Sequence, residues 1–364
     1  MKICFLADGG SIHTVRWVNA MAEKGHDIHL VTMCAKLKHQ IDKNVAIYQL
    51  PVTHFVGYYL NAGRVKKVVR KIKPDLVHTH YASGYGTLSR LLNFSPTLLS
   101  VWGSDVFEFP YQSKIKRRIL EKNLRAASQI ASTSVVMKKQ TEKFVNPKIP
   151  IVVTPFGVDM QKFNGRKKDQ NHDTINIGMV KTLEEKYGPR YLIEGTALLI
   201  ERLRRDGPPS LLGQLRLIIV GEGSQLEELK QLAKDRGISQ ITTFTGAIDH
   251  DVVPEILSKI DIYCAPSLTE SFGVAVVEAS ACEIPVIVSD VGGLPEVVVD
   301  GETGYIVQAQ NSQQIACRLY DLVIDEAKRR QFGQNGRKFV QLHFSWKDNV
   351  ALMESVYRRI LNLQ

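Results

Sequence analysis

No apolar run in this 364-residue chain approaches the roughly 18 residues needed to cross a bilayer as a helix. The opening MKICFLADGG reaches Asp8 after five apolar residues, too few for the core of a signal peptide. Cysteine is sparse: Cys4, Cys34, Cys264, Cys282 and Cys317 are scattered and form no CxxC pair. That argues against a zinc or disulfide framework and for small buried residues in a reducing compartment. The glycine pair after the first apolar run is not the GxGxxG fingerprint, which argues against a nicotinamide enzyme. Low-complexity tracts and short repeats are missing as well. These absences point to a cytosolic globular protein, and 364 residues suffice for two domains.

What is present is a strong charge asymmetry. Residues 1–165 carry 24 Lys+Arg against 10 Asp+Glu, an excess of +14, which leaves 23 against 27 in residues 166–364. Two units facing different partners are implied. Both halves alternate short apolar strands with helices, the pattern of parallel sheets covered on both faces. KICFLA, HDIHLVT, DLVHTH, TLLSV and PIVVTP read as strands of the first half. TINIGMV, LRLIIVG, ITTFTG, DIYCAP and PVIVS read as those of the second. GRVKKVVRKIKP and SKIKRRILEKNLRAA are basic amphipathic helices, and the polar stretch Asn164–Asp173 reads as a linker. From Asn311 onward only helices are expected.

The stretch SLTESFGVAVVEAS holds Glu270 and Glu278 eight positions apart. Glu270 falls in a strand-to-helix loop, and Glu278 is expected about two turns into the helix. Ligands of such sheets bind beyond the carboxyl ends of the strands, and the amides near Ser271–Val274 favour an anion. Gly273 admits close approach, and carboxylates accept hydroxyl hydrogen bonds in pairs. The ligand suggested is an anion flanked by polyols, a nucleotide sugar; the plainer account is a capping Glu and an unrelated surface Glu. The loop SDVGGLPE reads as a turn and cap. Lys181 and Lys186, after the first strand of the second half, are either diphosphate-neutralising or merely solvated. In the first half, the amides near Gly9–Ser11 could face an anion, and His13 and Arg16 open the following helix. His78, His80 and Asp105 end two strands as acid–base or sugar-binding candidates. His78 and His80 also have metal-pair spacing, but no third ligand accompanies them, and no metal is assigned. The basic helices read as a solvated face or as contacts with anionic lipid; no nucleic-acid motif accompanies them.

Taken together these residues resemble the family 4 retaining glycosyltransferases of GT-B fold, over almost the whole chain. PSLTESFGVAVVEASACEIPVIVSDVGGLPEVVVDGETGYIV is similar to that family's Glu-x7-Glu segment and glycine loop, and TPFGVDMQKF to its entry into the second domain. The resemblance implies two Rossmann-like α/β domains across a cleft: residues 1–165 for the acceptor, 166–345 for the donor, and a helix over 346–364 returning to the first. It implies that Glu270 holds donor-sugar hydroxyls and Glu278 the ribose. The amides of Phe272, Gly273 and Val274 would line the sugar and diphosphate, Lys186 would grip the phosphates, and Gly10 would lie beneath them. Val180 stands where the family has arginine, with Lys181 beside it as a substitute. Trp102-Gly103-Ser104-Asp105 lacks the histidine that some members place there, leaving His80 or His13 to serve. The implied activity moves a sugar from a nucleotide donor, UDP-linked, to an acceptor hydroxyl with retention and without a metal cofactor. The basic excess of residues 1–165 adds the expectation of a lipid-linked or surface-glycan acceptor and a peripheral place on the cytoplasmic membrane face. A nucleotide-sugar isomerase of the related epimerase class, or a non-catalytic basic module, are the competing readings.

Overall fold

A computed structural model describes residues 1–37, 39–165 and 174–363. The chain forms two compact units, one of residues 1–156 together with those from Lys347 on, the other of Gly157–Trp346. The segment after Phe156 already pairs with the second unit, since Val158 N donates to Phe344 O at 2.8 Å and Trp346 N to Val158 O at 2.9 Å. Of the linker read from composition, residues 166–173 lie outside the described residues.

The first unit is a seven-stranded parallel sheet in the order β3-β2-β1-β4-β5-β6-β7. Its strands are β1 (Lys2–Leu6), β2 (Asp27–Thr32), β3 (Ala46–Gln49), β4 (Leu76–His80), β5 (Thr97–Val101), β6 (Gln129–Ser132) and β7 (Val152–Val153). Helix α1 (Ile12–Glu23) joins β1 to β2; α2 (Gly57–Leu60) and α3 (Ala62–Ile72) precede β4, and α4 (Gly84–Leu92) follows it. Val65, Val69 and Ile72 of α3 pack with Cys4, Leu6 and Leu88, burying one face of this amphipathic helix, with Val68 half-buried beside them. Strand β6 escapes a hydropathy reading because QIAS starts with a polar residue. Gln129 is nonetheless buried, its Nε2 donating to Ile130 O and Pro150 O.

The second unit is a six-stranded parallel sheet in the order β10-β9-β8-β11-β12-β13. It comprises β8 (Ile175–Val180), β9 (Leu215–Val220), β10 (Thr242–Phe244), β11 (Ile262–Ala265), β12 (Val286–Ser289) and β13 (Gly304–Val307). Beyond Asn311 the described elements are helical, ending with Trp346–Ile360, most of which belongs to the first unit. Strand β13, within GETGYIV, is not among the strands read from the sequence. It forms because Gly304 lets the chain pass Val286, where a Cβ would lie 2.2 Å from Val286 O. Among the described residues no helix is long and apolar enough to cross a membrane.

Candidate active site

Two loops leave the carboxyl ends of neighbouring strands β8 and β11 and are joined along their backbones. Leu268 N and Thr269 N both donate to Lys186 O, at 2.8 and 3.2 Å. Gly188 has φ +62, and a Cβ there would sit 2.1 Å from Pro266 O, so only glycine lets the loops meet. The glycine pair after β12 clamps the same place from the other side. Gly293 N donates to Glu270 O at 2.9 Å, and a Cβ on Gly292 (φ +53) would lie 1.7 Å from that oxygen. The turn-and-cap reading of SDVGGLPE therefore understates it, because this loop holds the main chain of Glu270.

The Glu270 carboxylate forms an ion pair with Lys181 Nζ at 2.6 Å and accepts a 3.3 Å bond from Ser271 N. The Lys181 ammonium lies 4.3 Å from the centroid of the Tyr187 ring, and that of Lys186 lies 5.3 Å from it. Two cations thus lie against one aromatic ring beside the carboxylate. Met179, Lys181, Tyr263, Ser267, Glu270 and Gly273 line a small pocket here.

Gly273 caps the helix Val274–Ala281 at φ +107. The first intrahelical bonds run from Val276 N and Val277 N to Gly273 O, so the amides of Val274 and Ala275 precede them and point out of the helix start. Phe272 is buried with its ring against Phe344, centroids 5.5 Å apart. Glu278 is the fifth residue of the helix, little more than one turn in, where two turns were expected. Its side chain is only 6% exposed, and Oε1 accepts a 2.9 Å hydrogen bond from His250 Nε2. Tyr263, fully buried, donates to Val180 O at 3.1 Å. Burial first, then the fields of Glu278 and Glu270, hold its phenol well above the usual range. His250, Tyr187 and Tyr263 were not singled out in the sequence. His250 lies 28 positions from its partner in a loop with no recognisable spacing.

In the first unit Gly10 N donates to Asp8 Oδ1 at 2.9 Å, turning the chain into α1. His13 stacks on Phe156 with centroids 4.2 Å apart. Two of the candidates read from the sequence are enclosed here. Asp105 is 1% exposed and accepts from Ala82 N (2.8 Å), Gly103 N (2.8 Å) and Trp102 N (3.2 Å). Burial raises its pKa while those amides pull it back, and through them the carboxylate ties the loops after β4 and β5 together. His80 is 0% exposed, bonded through Nδ1 to Thr14 Oγ1 at 3.2 Å and set against Trp102 with centroids 4.2 Å apart. Its pKa is pushed well below the ordinary value by burial, then by His78 and His13, so the ring is neutral and enclosed.

Two carboxylates, two cations and helix-start amides at the carboxyl edge of a parallel sheet are groups suited to an anion and to hydroxyls. The chain matches the family model for group 1 glycosyl transferases over residues 160–339 and that for glycosyl transferase 4-like proteins over residues 2–134. It belongs to the GT4-type glycosyltransferases of GT-B fold. An uncharacterised glycosyltransferase of Methanocaldococcus jannaschii is 26% identical over 362 residues, 97% of this chain and 95% of the relative. The N-acetyl-alpha-D-glucosaminyl L-malate synthase of Bacillus anthracis is 24% identical over 98% of this chain and 96% of its own length. Among solved structures, sucrose-phosphate synthase from Thermosynechococcus elongatus superposes with a TM-score of 0.84 at 21% identity, covering 100% of this chain and 99% of its own. Anabaena HepE in complex with UDP gives 0.81 at 18% identity, covering 98% of this chain and 99% of its own.

Proposed function

We infer that this glycosyltransferase moves a sugar from a UDP-linked donor to an acceptor hydroxyl with retention at the anomeric carbon. The observation that carries the reading is the Glu270 carboxylate, fixed by the Gly292-Gly293 loop and paired with Lys181 beside the start of the helix Val274–Ala281. Glu270 takes the sugar hydroxyls and Glu278 the ribose. Lys186, Lys181 and the amides of Val274 and Ala275 carry the charge that develops on the departing diphosphate. A diphosphate oxygen on the departing face accepts the acceptor's proton, so no side-chain base is required, and the lysines do the neutralising that a metal ion does elsewhere. Among the described residues no three His, Cys, Asp or Glu side chains converge on one point. A uridine donor is supported by the HepE structures, solved with UDP and with UDP-glucose. The acceptor is a lipid-linked or surface-glycan precursor reached at the cytoplasmic membrane face, a reading supported by the +14 excess of residues 1–165.

A thermal-shift panel of UDP-, GDP- and ADP-sugars tests the donor. At 100 times its dissociation constant the true donor stabilises by about 2.7 kcal/mol. A shift with GDP- or ADP-sugars alone moves the assignment to that base, and no shift with any of them overturns the reading. Mass spectrometry of donor plus protein without acceptor then separates transfer from isomerisation.

A further inference from the structure

Between Asp42 and Asp75 the chain has no acidic residue, yet it carries seven Lys or Arg. Within this span the approach to α3 is fixed from the inside. Gly57 is buried where a Cβ would lie 2.2 Å from Val52 O, and Asn61 Nδ2 donates to the same oxygen at 2.8 Å. Tyr58 lies against Tyr85, centroids 5.4 Å apart, and covers Gly84 at the start of α4. With these residues holding the segment in place, its other large side chains point outward: Phe55 is 79% exposed, Leu60 69% and Tyr59 48%. Packing within the unit does not account for an anchored segment that presents adjoining apolar groups to water.

The helical path runs from α2 through Asn61 (φ −78, ψ −7) into α3, with Asn61 N donating to Gly57 O and Val65 N to Asn61 O. Leu60, Arg64, Lys67 and Lys71 therefore fall on one stripe, opposite the buried Val65, Val69 and Ile72. Read from its N-terminal end, the stripe is apolar and then three times cationic. Because α3 follows β3 and returns the chain to β4, its start lies on the carboxyl-end side of the sheet, the side on which such sheets bind ligands.

We propose that the segment Phe55–Leu60 is a membrane-inserting tip, whose occupant is the surface of an anionic bilayer. Phe55, Tyr59 and Leu60 enter the acyl boundary, and Arg64, Lys67 and Lys71 meet the lipid phosphates. Charge complementarity selects this occupant, since the span offers cations beside an apolar tip and no carboxylate to repel the headgroups. The proposal rests on the membrane reading above and adds to it a contact that salt does not screen.

Sedimentation with phosphatidylglycerol/phosphatidylcholine vesicles tests it, comparing the full chain with its Phe55→Ser/Leu60→Ser variant, both checked for an unchanged thermal shift with UDP. The wild type keeps measurable binding at about 0.5 M salt, where surface electrostatics is screened within a few ångströms. The variant binds about tenfold or more weakly at low salt and not at all at high salt. Emission from a Phe55→Trp protein shifts to the blue on adding vesicles. Equal binding by wild type and variant, or an unmoved emission, overturns the tip while leaving the membrane reading in place. A wild type that ignores anionic vesicles at low salt removes both.

Discussion

Glu270 and Glu278 look equivalent in the sequence and are held by different means. Glu270 has its main chain clamped by glycines and its carboxylate paired with an ammonium, whereas Glu278 is enclosed and oriented by His250. Their substitutions should separate accordingly. On the proposed reading Glu278→Gln takes a charged acceptor away from the ribose, so calorimetry should show UDP itself bound about tenfold or more weakly. Unchanged UDP affinity would rule out the ribose contact. Glu270→Ala should leave UDP binding nearly intact while transfer collapses, because its carboxylate is assigned to the sugar; parallel loss of both would mean that Glu270 merely supports its loop. The two glutamates were legible from spacing and from the strand-to-helix context. The partners that orient them were not, since Lys181 and Glu270 lie 89 positions apart and meet only because β8 and β11 are neighbours in the sheet.

At the scale of elements, the apolar runs gave most strands their place, and the histidines within one of them are enclosed by partners that the runs do not reveal. In β4, LVHTH reads as a strand ending in two functional imidazoles, but all five residues are buried. His78 bonds through Nδ1 to Tyr357 OH at 2.7 Å and through Nε2 to Ser100 Oγ at 2.8 Å, joining β4 to β5 and to the helix Trp346–Ile360. A partner 279 positions away leaves no trace in local pattern. Burial lowers the His78 pKa to about 3, and that of His80 also lies well below its ordinary value. Since both folded values are depressed, the unfolded chain binds these protons more readily. The stability is then fully present above the unfolded pKa of about 6.5 and is lost as pH falls towards about 3. For His78 the slope within that window is on the order of 1 kcal/mol per pH unit, and His80 acts in the same direction. Denaturant midpoints measured from pH 7 to 4 should fall steeply for the wild type and less steeply for His78→Gln. Identical slopes would show that His78 is already charged in the folded protein.

Across the whole molecule the charge is divided as the chain is, with the basic excess in the unit that carries α3 and the helix Lys114–Ala126. Both helices pack against α4, one on each side, so they share one layer of the sheet. Arg64, Lys67, Arg70, Lys71 and Lys73 are exposed along α3, while Lys66 is half-buried; Lys114, Arg117, Arg118 and Lys122 are exposed on the other helix. Part of that charge is already answered locally: Arg117 pairs with Glu121 at 3.0 Å, and its guanidinium lies over Phe144. The remainder exceeds what a solvated surface needs. A basic residue close to an anionic bilayer contributes about 1 kcal/mol, screened beyond roughly 8 Å at physiological salt, so several acting together hold a protein reversibly without a spanning helix. Reversing Lys66, Lys67, Lys71, Arg117 and Arg118 to glutamate should abolish binding to anionic vesicles at low salt. The thermal shift with UDP should be unchanged, because Glu278 and the helix-start amides proposed to hold it lie in the other unit and none of the five reversed residues is assigned to the donor. If the reversed protein still sediments with vesicles, the two helices do not form the electrostatic contact. If it loses UDP along with the vesicles, the substitutions have damaged the fold, which circular dichroism would show directly.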